Sequence, residues 1–226
     1  MPEKLTETSC SYYDLPVGGH SLRLHAGRFA EWKEEKTIFI ADAHFGKIAH
    51  FRRAGINLPG DAGADTFKRL TDILETFRPQ RLIVLGDLFH SDFNEDFPRF
   101  AAWRQQFTET DVWLIPGNHD RAGQSYLHEM GLVVKAPQVL GPFYLQHEPA
   151  EISEGFLLCG HLHPGLSLGG RGRQHVQMPA FWLSGHMLCF PAFGSFTGNA
   201  SVQPHRNDVF FAVAGNELRK IPASIL

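Results

Sequence analysis

Three things are scarce in this chain, and each scarcity removes a class of protein: cysteine, net charge and long apolar runs. Its 226 residues hold three cysteines, Cys10, Cys159 and Cys189. They are odd in number, widely spaced and without a Cys-x-x-Cys pair. Neither a disulfide framework nor a thiolate metal knuckle is expected, and a reducing, cytoplasmic setting fits. No apolar stretch approaches the ~20 residues of a membrane span. The segment Met1 to Cys10 is polar and carries acids, unlike a secretory leader. A net charge of −3 leaves no global basic clamp for nucleic acid, although it permits a local basic patch. Repeats, low-complexity runs and a convincing linker are lacking too, so a single domain over residues 1–226 is expected.

What is present describes a loop-rich globular protein, with 43% apolar residues, 22 glycines and 14 prolines. Ser21 to Ala26 alternates apolar and polar residues, breaks at Gly27 and resumes at Phe29 and Trp32, which predicts a hairpin. Thr37 to Ile40, Arg81 to Leu85 and Val112 to Ile115 read as buried strands. Between them, Phe67, Leu70, Ile73, Leu74 and Phe77 mark one face of a helix that begins at Asp65 and stops before Pro79. A second helix is expected from Phe97 to Phe107. The second half reads as strands, at Phe143 to Gln146, Phe156 to Cys159, His186 to Phe190 and Val209 to Val213. Strand–helix alternation followed by a strand-rich half predicts an α/β fold with a second, more antiparallel sheet packed on the first.

Each of the three buried early strands, and two later ones, ends in groups that bind metals or move protons. The series is Asp42-Ala43-His44, Gly86-Asp87-Leu88-Phe89-His90, Gly117-Asn118-His119-Asp120, His147 and Gly160-His161-Leu162-His163. Strand ends are where open α/β sheets place their sites. Oxygen and nitrogen donors without thiolate suit divalent Mn, Fe, Ni or Zn, and 13 histidines raise the expectation of metal chemistry. Any one motif has an ordinary reading as a polar turn. In this order, at strand ends, chance explains them poorly. In a strand the side chains at i and i+2 share a face, so Asp42 and His44 are expected to reach one ion. Two metals side by side serve in-line displacement at phosphorus, so the chain reads as a metal-dependent phosphoesterase.

From Asp42 to His163 the motifs resemble the calcineurin-like metallophosphoesterase superfamily. Ile40-Ala41-Asp42-Ala43-His44-Phe45-Gly46-Lys47, Phe51-Arg52, Leu58-Pro59 and the tail from Phe190 to Gly198 resemble the bacterial ligase-associated DNA damage response endonuclease family (the PdeM type, related to SbcD-like nucleases). Ala43 and Phe45 stand where leucines are more usual, and Glu148 follows His147 where glycine is common. The resemblance implies a four-layer α-β-β-α sandwich of two mixed sheets. It implies that Asp42, His44 and His163 hold one metal and Asn118, His147 and His161 a second, with Asp87 bridging. His119 would protonate or stabilise the leaving oxygen, and Asp120 would orient its ring.

Two divalent ions, with manganese the leading candidate, would outweigh the charges of Asp42 and Asp87. The surplus draws in phosphate and acidifies a bridging water toward a pKa of ~7. His90, Arg52 and Arg121 are candidate substrate contacts, and Lys47, Arg53, Arg171 and Arg173 are further cations beside the motifs. The expected function is phosphodiester hydrolysis, with DNA as substrate and a repair setting shared with an ATP-dependent DNA ligase and a helicase. One alternative keeps the chemistry on nucleotides or other small phosphoesters. Another is a non-catalytic binding module, against which the presence of His119 and Asp87 speaks.

Overall fold

A computed structural model describes residues 9–48, 55, 64–90, 96–169, 175–195 and 197–225. The short strand β1 (Ser9–Cys10) belongs to the second sheet, and the chain then builds the first. Strands β2 (Tyr12–Val17), β3 (His20–His25), β4 (Phe29–Trp32), β5 (Thr37–Ile40), β6 (Arg81–Leu85), β7 (Asp111–Ile115) and β8 (Leu132–Val134) lie side by side in chain order. The pairs from β2 to β5 are antiparallel and those from β5 to β8 parallel. Parallel neighbours need crossovers. Helices α1 (Ala64–Phe77), α2 (Asp96–Arg104) and α3 (Gln124–Glu129) lie within the three connections.

The apolar runs that follow the first residue of β5, β6 and β7 serve two cores. Ile38, Ile40, Leu82, Val84, Val112 and Leu114 pack with the helices, against Phe67, Leu70, Ile73 and Leu74 of α1 and Phe97, Phe100 and Trp103 of α2. The alternate positions Phe39, Ile83, Leu85 and Ile115 face the second sheet. A strand covered on both faces has no polar side to show.

The second sheet contains β9 (Gln138–Leu140), β10 (Phe143–Leu145), β11 (Phe156–Cys159), β12 (Pro164–Gly169), β13 (His175–Ser184), β14 (Met187–Cys189), β15 (Ala200–Ser201), β16 (Val209–Ala214) and β17 (Glu217–Pro222). Its main order is β1-β17-β16-β13-β14-β11-β10-β9, and β12 pairs with β13 and β15. Only β10–β11, β11–β14 and β12–β15 are parallel, so the sheet is mixed and mostly antiparallel, as expected. Phe143, Leu145, Leu158, Phe181, Phe190 and Phe211 fill the space against the first sheet.

The protein is thus an α/β sandwich of two mixed sheets. The helices named above cover the outer face of the first sheet. Over the second, clusters around Phe210 and Leu157 are closed by strands and loops, including Leu166, Val202, Ile152 and Leu162, instead of long helices. No helix among the described residues is long and apolar enough to cross a membrane.

One half-buried group on β3 is expected to make stability depend on pH. The His25 ring stacks on Phe29 at 4.2 Å and meets Phe77 edge-on at 5.2 Å. Burial, helped by the charges of Arg23 and Lys33, pushes its pKa from 6.5 down to about 4. The unfolded chain therefore binds this proton first. The stability linked to neutral His25 is present above pH 6.5 and is lost as pH falls towards about 4. The wild type is expected to lose ~2–3 kcal/mol more over that window than His25→Phe, which keeps the stack. Urea titrations at several pH values check this, and parallel curves would refute it.

Candidate metal centre

The centre lies where β5, β6, β7, β10 and β11 end. Asp42 and His44 follow β5, and their N–H groups donate to the carbonyls of Gly86 and Asp87 at 3.1 and 3.0 Å. The first two motifs therefore continue alongside one another beyond the sheet, with a parallel bridge between Phe45 and Phe89. The backbone is not extended there. Asp42, His44, Asp87, His161 and His163 have φ of 53°, 48°, 50°, 70° and 48°. They are five of the eight non-glycine residues with positive φ among the described residues. Left-handed backbone costs an L-residue roughly 1–3 kcal/mol and persists where its surroundings enforce it. Asp42 and His44 do converge, but through this turned backbone and not through strand alternation.

Close approach requires two of the motif glycines. A Cβ on Gly86 would lie 2.0 Å from His147 Nδ1, and one on Gly160 would lie 2.4 Å from Asp42 Oδ2. Behind the centre, Phe193 and Gly194 donate N–H to the carbonyls of Ala41 and Asp42 at 2.8 and 3.1 Å. That tail segment is held by Arg69, which donates to the Phe193 carbonyl, and by Arg28, which donates to the Ala192 carbonyl at 3.3 Å. Burial, with Arg28 nearby, lowers the Arg69 pKa to about 10. Sequence reading did not find these arginines, because no local pattern links residues so far apart in the chain.

Within this frame Asp42, His44 and His163 offer ligand atoms within 4.8 Å of one another, and so do Asp42, Asp87 and His147. Asp42 therefore borders both groups, although the sequence assigns it to one. Asp87 Oδ2 lies 3.9 Å from His44 Nε2 and 3.6 Å from His147 Nε2, within reach of both rings. Its other oxygen accepts the His119 N–H at 2.9 Å. Asp42 Oδ2 accepts the His161 N–H at 2.9 Å. Asp42 Oδ1 sits 3.2 Å from His163 Nε2, without hydrogen-bond geometry.

The nitrogens themselves indicate what belongs between them. His44 Nε2 and His163 Nε2 are 3.2 Å apart, and so are His147 Nε2 and His161 Nδ1. His147 Nδ1 donates to the Leu85 carbonyl at 2.9 Å, which leaves its Nε2 lone pair bare. Burial, together with the neighbouring imidazoles and Lys47, pushes the His44 pKa down to about 2, so that ring is neutral. Asp42 and Asp87 are buried, and their ion-pair contacts among the described residues are with histidine only. Buried carboxylates and facing imidazole nitrogens without a fixed cation are costly unless a metal joins them. The donor set fits divalent metal.

His119 and Asn118 are exposed at the rim. The His119 ring stacks against His90 at 5.3 Å and meets the edge of His44 at 5.5 Å, so His90 lies beside these imidazoles. Asp120 behaves otherwise than expected. Its oxygens accept N–H bonds from Gly117 at 2.9 Å and Phe89 at 3.2 Å, and none from His119. It ties the third motif to the second and does not orient the imidazole. Burial raises its pKa to about 6, against the pull of those N–H groups. Arg121 Nε donates to the Asn118 carbonyl at 3.4 Å, beside the rim. Lys47 is partly buried near Asp42 and Asp87, and burial lowers its pKa. Glu148 is exposed and leaves His147 undisturbed. Arg52, Arg53, Arg171 and Arg173 lie outside the described residues, as do Phe51, Leu58, Pro59 and Phe196. Cys159 and Cys189 are buried, free thiols beneath the centre, and Cys189 Sγ donates to the Gly160 carbonyl at 3.1 Å.

Carboxylates and imidazoles gathered at the ends of strands from two facing sheets define the fold and donor set of a metal-dependent phosphoesterase. The model of the calcineurin-like phosphoesterases matches residues 35–168, and the chain belongs to that family. Among solved structures it is similar to the nuclease MPE of Pseudomonas putida, with 29% identity and a TM-score of 0.77, over 92% of this chain and 99% of the other. It is also similar to Yfce, a phosphoesterase from E. coli, with 18% identity and a TM-score of 0.44, over 82% and 98% of the two chains. No curated protein matches the chain.

Proposed function

We propose that the chain is a dinuclear phosphodiesterase that cleaves DNA, acting as one domain. The observation that carries the dinuclear reading is the presence of two facing nitrogen pairs, His44 with His163 and His147 with His161, on either side of Asp87. In this reading Asp42, His44 and His163 hold one ion, Asn118, His147 and His161 the other, and Asp87 joins them. Two divalent ions, manganese first among the candidates, supply the positive charge that draws in and polarises a phosphodiester.

The remaining roles belong to side chains. His119, exposed and ringed by His44 and His90, gives a proton to the departing oxygen. His90, Arg121 and Arg52 contact the phosphate backbone. Asp120 fixes the loop that carries Asn118 and His119. Asn118 and His119 are exposed, and the 29% identical neighbour is a nuclease, which favours DNA over small phosphoesters. A cytoplasmic repair role beside an ATP-dependent DNA ligase and a helicase follows from the family resemblance of the motifs.

The test is Mn²⁺-dependent cleavage of labelled single-stranded DNA, with Asp42→Asn as the control for contaminating nuclease. Cleavage by the wild type that chelator and Asp42→Asn both abolish is the expected result. A metal-loaded wild type that hydrolyses small phosphodiesters but no DNA would overturn the choice of substrate.

A further inference from the structure

The two imidazoles that flank Asp87 are held differently at their far nitrogens. His147 Nδ1 has the Leu85 carbonyl at 2.9 Å. His44 Nδ1 is buried and has no hydrogen-bond partner among the described residues. A ligating histidine needs one, because the N–H on its far nitrogen fixes the tautomer and the ring plane. At 5% exposure, bulk water does not serve His44.

Beside it lies a cavity of about 20 Å³, lined among others by His44, Thr66, Asp96, Ser195 and Thr197. Thr197 is 8% exposed, and its Oγ1 is likewise buried without a partner among the described residues. Thr66, Ser195 and Asp96 already have partners. Thr66 Oγ1 donates to Ser195 Oγ at 3.5 Å and accepts the Ser195 N–H at 3.4 Å, while Asp96 accepts from Arg99 at 3.1 Å. An orphaned N–H and an orphaned hydroxyl thus share a cavity with room for one water, which needs roughly 10–15 Å³. Thr197 is set there by its N–H to the Gly194 carbonyl at 3.4 Å. A Cβ on Gly194 would come within 2.8 Å of Thr197 Oγ1.

We propose that Thr197 is a positioning residue for His44. One ordered water accepts the His44 Nδ1 proton and donates to Thr197 Oγ1, which leaves His44 Nε2 bare toward the centre. The inference rests on reading His44 as a metal ligand.

The test measures Mn²⁺ affinity by chelator competition in the wild type, Thr197→Val and Thr197→Ser. Thr197→Val keeps the volume and removes the hydroxyl, and should bind about 10–100-fold more weakly. Thr197→Ser should bind as the wild type does. Wild-type affinity in Thr197→Val, or affinity as weak in Thr197→Ser as in the valine variant, would overturn the role of Thr197 alone. A wild type with no affinity for divalent metal would overturn the metal reading itself. Melting of the metal-free variants shows whether Thr197→Val folds. If it does not, a crystal structure of the metal-loaded wild type decides. A water within hydrogen-bond reach of both His44 Nδ1 and Thr197 Oγ1 supports the role, and any other partner for that Nδ1 refutes it.

Discussion

Asp87→Asn is expected to lose its metals and at least about 10³-fold in kcat while keeping its fold. An Asn side chain can keep its carbonyl toward the His119 N–H, where Asp87 Oδ1 accepts at 2.9 Å. Its NH₂ then replaces Oδ2, the atom placed 3.9 Å from His44 Nε2 and 3.6 Å from His147 Nε2. A donor there repels a cation and removes the charge between the two nitrogen pairs. Losing several kcal/mol of metal-supplied stabilisation corresponds to ~10³-fold or more in rate. The metal-free variant should be at least as stable as the wild type, because a buried carboxylate whose ion-pair contacts among the described residues are with histidine only has been neutralised. Elemental analysis, kinetics and melting with and without Mn²⁺ check the three parts. Two ions per chain retained in Asp87→Asn would sink the bridging role.

His119→Ala is expected to give the opposite pattern, with metals retained and activity lost. The ring is exposed, and its ring contacts among the described residues are with His44 and His90, so its removal opens no core cavity. The backbone N–H that holds Asp87 survives the substitution. A proton donor to the leaving oxygen contributes ~10²–10⁴-fold, and DNA cleavage should fall by that factor. A p-nitrophenyl ester, whose leaving group departs without a proton, should lose much less. Equal losses on both substrates would show that His119 holds the phosphate and does not protonate.

The strand ends were legible because burial on both faces leaves a plain signal: apolar runs at Thr37–Ile40, Arg81–Leu85 and Phe156–Cys159, each followed by polar motif residues. These gave the strands that Asp42, Asp87 and His161 follow. β12 and β13 were missed because Gly165, Gln177 and Pro179 interrupt any strand pattern, and pairing supplies the order that propensity does not. The ligand geometry was also beyond local reading. Alternation along a strand suggested that Asp42 and His44 share a face, whereas the chain achieves this with left-handed backbone braced by Gly86 and Gly194. Asp120 was misread for a similar reason: a neighbour in sequence was taken as a partner, while its partners are backbone groups of Gly117 and Phe89.

The bonds from Phe193 and Gly194 to Ala41 and Asp42 bear on how the protein is made. The first motif leaves the ribosome long before the segment that pins it. At ~5–20 residues per second, the growing chain spends roughly 8–30 seconds with Asp42 and His44 made but unbraced. Over that interval it carries the ligands without the centre. Until that segment arrives, the carboxylates and imidazoles of the candidate metal centre are present in the chain but not yet held together, so competence to bind metal is expected to come late in synthesis.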